Sequence, residues 1–569
     1  MASVLTWFDA DPARFWWIAW STFAALALIA AVPAFAGAVS EFAERRLQRQ
    51  LPPWLFLLAL AATLLAFRWP ILFIDRDFNI DESQHIAEAI TLQHDPVFWR
   101  SVDGTTHGPL DIYPLLLLPL VGLKLDYFGV RVFGLFLMAV ALVASYRALA
   151  LLGRESLARI AILPAVAFIA FTTAPDFIHY SSEHVPVALL ATGLWLAVAD
   201  LLRTDRRPRS WRWILAGLGL GAVPMAKLQA APIAATLLVA VVLLDFLLPG
   251  STPRDRIRRP LVLAAAALLP TFVFILLTWI FGVLHHAWIS YVSQNFNYAH
   301  AGHVPLGAWF LGSWKFFQHD AGFGHFITGL ALLSAIAAIP ALQARPAQLR
   351  WCAITLVVLL ASLFAVLAPR REYFHYQLLL VVPATLFAGT LVQSAWESLQ
   401  GPRARWTRLA LLAALCVVAI LPQIRERSRG HLFVGQLQVL ARPPDDPVPA
   451  EILRYTQPGD RLAVWGWAPR FYVRTGLPQA TREAHTYNEL TESGLQPYYY
   501  HRYVRDLARR RPVVFVDAVG PGAFGFVPRE HFAHERFPEL HEIIARDYRH
   551  VAEFGHARIY VRLDRLPPR

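Results

Sequence analysis

Three aspartates and a glutamate crowd into the eight residues Asp75-Arg76-Asp77-Phe78-Asn79-Ile80-Asp81-Glu82. The run follows directly on an apolar segment long enough to cross a membrane, where acids are costly unless they are used. A carboxylate held at such a boundary can take a proton from a hydroxyl as a general base, or ligate a hard divalent cation. Asp81 and Glu82 also open a helix expected over 82–91, so N-capping by Asp81 competes with catalysis as the explanation.

A second stretch, Asp103-Gly104-Thr105-Thr106-His107-Gly108-Pro109-Leu110, flanks His107 with glycine and proline, so a turn should fix its imidazole. A third, His179-Tyr180-Ser181-Ser182-Glu183-His184, groups an acid with two histidines. Glu183, His179 and His184 could hold a divalent cation such as magnesium, manganese or calcium, although nothing in the spacing requires it. Lysine occurs only at Lys124, Lys227 and Lys315. Lys227 sits between two apolar segments, where a lone cation suits a phosphate. Arg370 and Arg371 occupy a comparable break and could serve the same anion or anchor at lipid headgroups.

The elements that must position these groups are membrane helices. The 569 residues are 56% hydrophobic and only 16% charged, with 37 Phe and 19 Trp, and the mean hydropathy is +0.43. Ordinary globular domains are about 25% charged. A soluble enzyme, a disordered chain and a disulfide scaffold are excluded; the two cysteines, Cys352 and Cys416, lie in apolar runs. The expectation is a polytopic α-helical membrane protein with about twelve spans, at 15–38, 53–73, 127–150, 160–177, 185–202, 212–226, 229–247, 261–284, 322–341, 351–368, 374–396 and 408–422. The first run is too long for the apolar part of a cleaved signal peptide. The segment 110–123 is too short to cross and reads as re-entrant or interfacial.

Arginines sort the loops. Arg45, Arg46, Arg49, Arg154, Arg159, Arg203, Arg206, Arg207, Arg209, Arg212, Arg254, Arg256, Arg258, Arg259, Arg345, Arg350, Arg403, Arg405 and Arg408 all fall on one side. By the positive-inside pattern that side is cytoplasmic, both termini are outside, and the net charge of +12 needs no nucleic-acid partner. The acidic, histidine and lysine motifs then share the outer face. The division expected is a transmembrane catalytic domain at 1–422 and a small α/β domain outside at 423–569, with strands at 461–467, 512–519 and 554–563 and a helix at 537–548.

An Asp-Glu pair after an early span, a His-Gly-Pro-Leu turn, an outer Glu loop and a Lys-x-Gln segment together resemble the GT-C superfamily of lipid-linked-sugar glycosyltransferases. Its branch of bacterial relatives of protein O-mannosyltransferases and aminoarabinose transferases (glycosyltransferase families 39 and 83) is the nearest. The resemblance implies a polyprenyl-phosphate sugar as donor and an envelope glycan, lipid or protein as acceptor, at the outer face of a bacterial inner membrane. It implies Asp81 as the loop carboxylate, Glu82 as its acidic neighbour, His107 as the turn histidine and Glu183 as the second acid. Lys227 and Arg371 match its phosphate-binding cations. No Gly-rich nucleotide motif is present, and a membrane-borne donor requires none. A ligase or polymerase of lipid-linked glycans would share the donor. A transporter would instead carry its ionisable groups at mid-membrane.

Overall fold

In the computed structural model the chain is described at residues 2–202, 210–247, 253–300, 305–401, 403–429 and 437–566. Arg203, Arg206, Arg207 and Arg209 of the proposed cytoplasmic loops lie outside the described residues. Among those described, ten helices are long and apolar enough to span a bilayer: Pro12–Val39, Pro53–Leu72, Tyr127–Leu152, His184–Leu201, Leu228–Leu247, Arg254–Ile280, Ala321–Ala341, Pro346–Leu367, Phe374–Ser398 and Ala404–Arg425. The other two expected segments are helical over 17 described residues each, Glu155–Phe171 and Ser210–Ala226. Among the described residues all twelve expected segments are thus helical, ten of them at full spanning length.

The chain divides into two compact units. One comprises Met1–Phe73, Gly134–Phe274 and Tyr298–Val439. Its axis is apolar and close-packed. Helix Glu155–Phe171 is buried from Ser156 to its end, and 94% of the apolar window of Phe374–Ser398 is buried. Phe171 meets Phe67 and Phe23 at ring-centroid distances of 4.7 and 4.9 Å. Helices approach through small residues, as they do where lipid supplies no hydrophobic drive. A Cβ added to Gly221 would lie 2.0 Å from the Ala267 carbonyl oxygen, and one at Gly329 would lie 2.6 Å from that of Val418.

Polar contacts in this unit respect the division made by the arginines. Arg154 pairs with Glu41, Glu44 and Glu397, Arg259 with Asp245, and Ser398 donates to the Pro340 carbonyl. All join segments assigned to the cytoplasmic side. Arg68 donates to the Thr172 and Phe177 carbonyls, and Gln229 to that of Ala365; these join segments assigned outside.

The second unit comprises Ile74–Phe133, Ile275–Asn297 and Leu440–Arg569. It is built on a four-stranded sheet of order β1-β2-β4-β3. β1 (Leu462–Gly466) and β2 (Val514–Ala518) are parallel; β4 (Ala557–Arg562) runs antiparallel to β2 and to β3 (Tyr548–Phe554). Helix Gln496–Arg510 lies in the crossover between the parallel strands, which such a pair requires. Both faces are covered. Leu462, Val464, Val514 and Val516 pack with Phe471, Tyr472 and Ile452. Ala463, Trp465 and Phe515 pack with Tyr503, Leu507 and Leu540. The strands and helix expected in the tail are present; β3 and helix Gln496–Arg510 were not anticipated. The segment 110–123 forms 3₁₀ turns, Pro109–Asp111 and Tyr113–Val121.

Candidate active site

The acidic run is held by a buried ion pair. Helix Ile80–His94 starts earlier than expected, and its cap is Asn79, whose side chain accepts from the Asp81 N–H at 3.1 Å. Asp81 is thus inside the first turn, where free N–H groups favour an anion. Glu82 is fully buried and receives Arg131 at both oxygens, at 2.8 and 2.6 Å. The same guanidinium donates to the Ile74 and Arg76 carbonyls and stacks on Phe78 at 4.1 Å. One arginine therefore clamps the whole loop. Asp75 pairs with Arg474 at 2.8 Å, and Asp77 accepts from Ser83 at 3.2 Å. The partly exposed Asp81 carboxylate takes no hydrogen bond from the described residues. It is the one acid of the run left available.

Behind Asp81 lies a buried polar chain. The Asp81 carbonyl accepts from His85 Nδ1 at 2.5 Å, and the His85 ring stacks on His107 at 4.4 Å. His107 Nε2 meets Glu88 at 2.8 Å. The other oxygen of Glu88 accepts from Gln84 Nε2 at 2.9 Å, and Gln84 Oε1 meets His485 at 3.1 Å. Burial raises the Glu88 carboxyl against the pull of His107. Burial likewise pushes His485 down to about 4, although the Asp81 charge acts against it. His107 is fixed as its flanking residues suggested. Its N–H bonds to the Gly104 carbonyl at 3.1 Å, and a Cβ on Gly104 would lie 2.6 Å from the His107 carbonyl oxygen.

Sequence reasoning missed the tail's share. Arg502 donates to Asp103 at 2.5 Å, to Glu483 at 2.6 and 2.9 Å, and to Ser290 at 3.1 Å. Burial disfavours the Asp103 charge, but Arg502 outweighs it and holds the carboxyl below its ordinary range. Burial raises Glu483, and raises Glu489 well above the usual carboxylate range. Gln479 N–H donates to Thr91 at 3.0 Å. Helix Ile80–His94 and the His107 turn are thus tied to residues some 400 positions later, which no local pattern signals.

The remaining candidates belong to the other unit. Lys227 stands at the break between Ser210–Ala226 and the next helical turn. It is buried, pairs with Glu183, donates to Ser182 at 2.6 Å and lies 4.5 Å from the Tyr376 ring centre. Burial would raise Glu183, but Lys227, then His375, hold it down to about 2. Lys227 is therefore not a lone cation. Arg371 stacks over Tyr298 at 4.8 Å and has no carboxylate partner among the described residues. Arg370 takes a positive φ of 53° in the turn between two spans. His179 Nδ1 engages the Pro175 carbonyl at 2.8 Å, and Ser181 N–H donates to His184 Nδ1 at 3.1 Å.

His179, Glu183 and His184 do not come together as metal ligands. Among the described residues the group whose ligand atoms lie within 4.8 Å of one another is Asp517, His534 and Glu535. This group could hold a divalent cation, but Arg529 already contacts both carboxylates, at 3.1 and 3.3 Å.

No protein-family model matches the chain, and no curated protein matches it in sequence. Solved structures do match in fold. ArnT from Cupriavidus metallidurans bound to undecaprenyl phosphate superposes with a TM-score of 0.56 at 12% identity, over 90% of this chain and 99% of that one. The chain shares the ArnT fold. The apo state of ArnT matches over the same shares at a TM-score of 0.50 and 13% identity. An oligosaccharyltransferase from Archaeoglobus fulgidus, crystallised with zinc and sulfate, is more distant, with a TM-score of 0.43 and 12% identity over 77% of this chain and 64% of that one. The expected polytopic fold with a small C-terminal sheet domain is borne out.

Proposed function

We propose that this protein is a glycosyltransferase that moves a sugar from a polyprenyl-phosphate donor to an envelope glycan, lipid or protein. The observation that carries the reading is the Asp81 carboxylate, the unengaged acid of a loop otherwise locked by ion pairs, in a chain with the fold of an undecaprenyl-phosphate-binding protein. Asp81 takes the proton of the acceptor hydroxyl as the oxygen attacks the anomeric carbon. The bond from that carbon to the phosphate oxygen breaks, and polyprenyl phosphate leaves with the electron pair.

In this reading Glu82 positions the loop through Arg131, and His107 with Glu88 braces the helix that carries Asp81. Arg371 is the main cation for the departing phosphate, with Arg370 beside it in sequence. Lys227 contributes only as far as the donor competes with Glu183. Cationic donors aimed at a developing charge supply the largest share of such catalysis, and a divalent cation would add to them if the reaction requires one. The protein lies in the bacterial inner membrane, with the active site and the domain 423–569 outside. A lipid-linked glycan ligase would use the same donor. Transport is disfavoured because the acids stand at the ends of the spans and not at mid-membrane.

The test is transfer by the purified protein in lipid nanodiscs, with polyprenyl-phosphate sugars and nucleotide sugars offered separately. Product from the lipid donor alone is expected. Product from nucleotide sugars alone would overturn the reading.

A further inference from the structure

A second polar pocket lies far in sequence from the acidic run, among the ends of spans Tyr127–Leu152, Pro346–Leu367 and Phe374–Ser398. Its walls include Gly153, Arg154, Trp351, Gln393, Ser394 and Glu397. These residues fall on the side to which the arginine-rich loops belong. The interior holds about 20 Å³, room for one group the size of a water molecule.

The chemistry of the walls is that of an acceptor. Gln393 is 5% exposed. Its Nε2 donates to the Leu149 carbonyl at 2.9 Å, which fixes the amide orientation, and its Oε1 has no partner. That oxygen lies over Gly153, where an added Cβ would come within 1.6 Å of it. The one guanidinium in the wall is engaged at each of its three nitrogens. Arg154 donates to Glu41 at 2.6 Å, Glu44 at 2.7 Å and Glu397 at 3.0 Å. Arg45 shares Glu41 at 3.2 Å. Three carboxylates thus face two guanidinium groups, and the network keeps one excess negative charge. Glu397 is 41% exposed on its side chain, with its second oxygen open. An anion finds no uncommitted guanidinium nitrogen here, only neutral donors such as Gln348 and Trp351. A compact cation finds a buried amide oxygen, a carboxylate and the hydroxyl of Ser394.

We propose that this pocket binds a primary ammonium group, presented by the headgroup of a membrane lipid such as phosphatidylethanolamine. Size and charge select it together. An ammonium is as small as water and donates three hydrogen bonds, whereas a trimethylammonium is bulkier and donates none. Charge-assisted bonds of this kind favour the ammonium lipid about tenfold or more.

Native mass spectrometry of the full chain, released from nanodiscs with equal phosphatidylethanolamine, phosphatidylcholine and phosphatidylglycerol, tests the proposal. One phosphatidylethanolamine should be retained about tenfold over phosphatidylcholine, and Glu397→Gln and Gly153→Ala should each remove the preference. Glu397→Gln alters an exposed side chain, so a folded variant is secured if Gly153→Ala fails to fold. In phosphatidylcholine nanodiscs, millimolar ethanolamine should leave the melting temperature unchanged. A rise there without lipid selectivity would assign the pocket to a soluble amine and overturn the lipid source. Equal retention of all three lipids, or selectivity that survives Glu397→Gln, would overturn the proposal.

Discussion

Replacing Lys227 by methionine separates two roles that the sequence alone merges. The structure pairs Lys227 with a fully buried Glu183 and adds a hydroxyl from Ser182. Removing one partner leaves a buried charge without compensation, which costs about 3–5 kcal/mol. The Glu183 carboxyl, held near 2 rather than 4.5, gives the same scale independently, about 3 kcal/mol from a shift of that size. Because the folded value is depressed, this stabilisation is present above pH 4.5 and is lost as pH falls towards 2. Lys227→Met should therefore melt well below wild type in detergent at pH 7. The double variant Lys227→Met/Glu183→Gln should recover most of the loss, since no buried charge is then left without a partner. Donor KM is then measured on the double variant by steady-state transfer. A KM within about threefold of wild type means that Lys227 is structural; a rise of about tenfold or more, the scale of a charged hydrogen bond, means that it also reads the phosphate. The reasoning is refuted if Lys227→Met alone melts and turns over like wild type.

Arg371→Ala should raise the donor KM by about 10–150-fold, the range of a lost charged hydrogen bond, and leave the melting temperature nearly unchanged; an unaltered KM removes Arg371 from the donor site. Arg131→Met should abolish turnover and cost about 3–5 kcal/mol, because one guanidinium holds Glu82 and two loop carbonyls; a stable, active variant would show that the clamp is dispensable. Glu489 is buried with neither carboxylate oxygen hydrogen-bonded, and its carboxyl is raised by burial. Its contribution is complete below pH 4.5 and declines as pH rises towards the folded value, so Glu489→Gln should flatten the alkaline limb of a stability profile, and an unchanged limb would contradict the assignment.

Spans were legible because twenty apolar residues leave a chain few alternatives, and the arginine spacing correctly grouped Arg154 with Glu397 and Arg259 with Asp245. The two 17-residue helices were legible as helices, but their ends depend on breaks at Thr172 and Lys227 that hydropathy does not register. His107 was legible because glycine and proline on either side constrain a turn. Partners were not legible. Nothing near Glu82 predicts Arg131, nothing near Lys227 predicts Glu183, and Arg502 reaches Asp103 across 399 positions. Helix Gln496–Arg510 was missed because charged residues and tyrosines interrupt its apolar stripe; its buried face is made of Tyr499, Arg502, Tyr503, Val504, Asp506 and Leu507. Compositional change marked the tail as a separate soluble domain. The contacts of Thr91 with Gln479 and Gln84 with His485 show it forming one compact unit with the acidic helix.

Whether Asp81 is the base is decided by turnover with a saturating polyprenyl-phosphate sugar, measured for Asp81→Asn beside Asp75→Asn, with donor binding and melting recorded for both. The Asp81 carboxylate is partly exposed and unpaired among the described residues, so its amide should fold and bind donor as wild type does. A general base contributes about 10²–10⁴-fold, and turnover of Asp81→Asn should fall by that factor. Asp75→Asn should cost much less, since Asp75 faces Arg474. Wild-type turnover by Asp81→Asn in a protein that still binds donor would contradict the account.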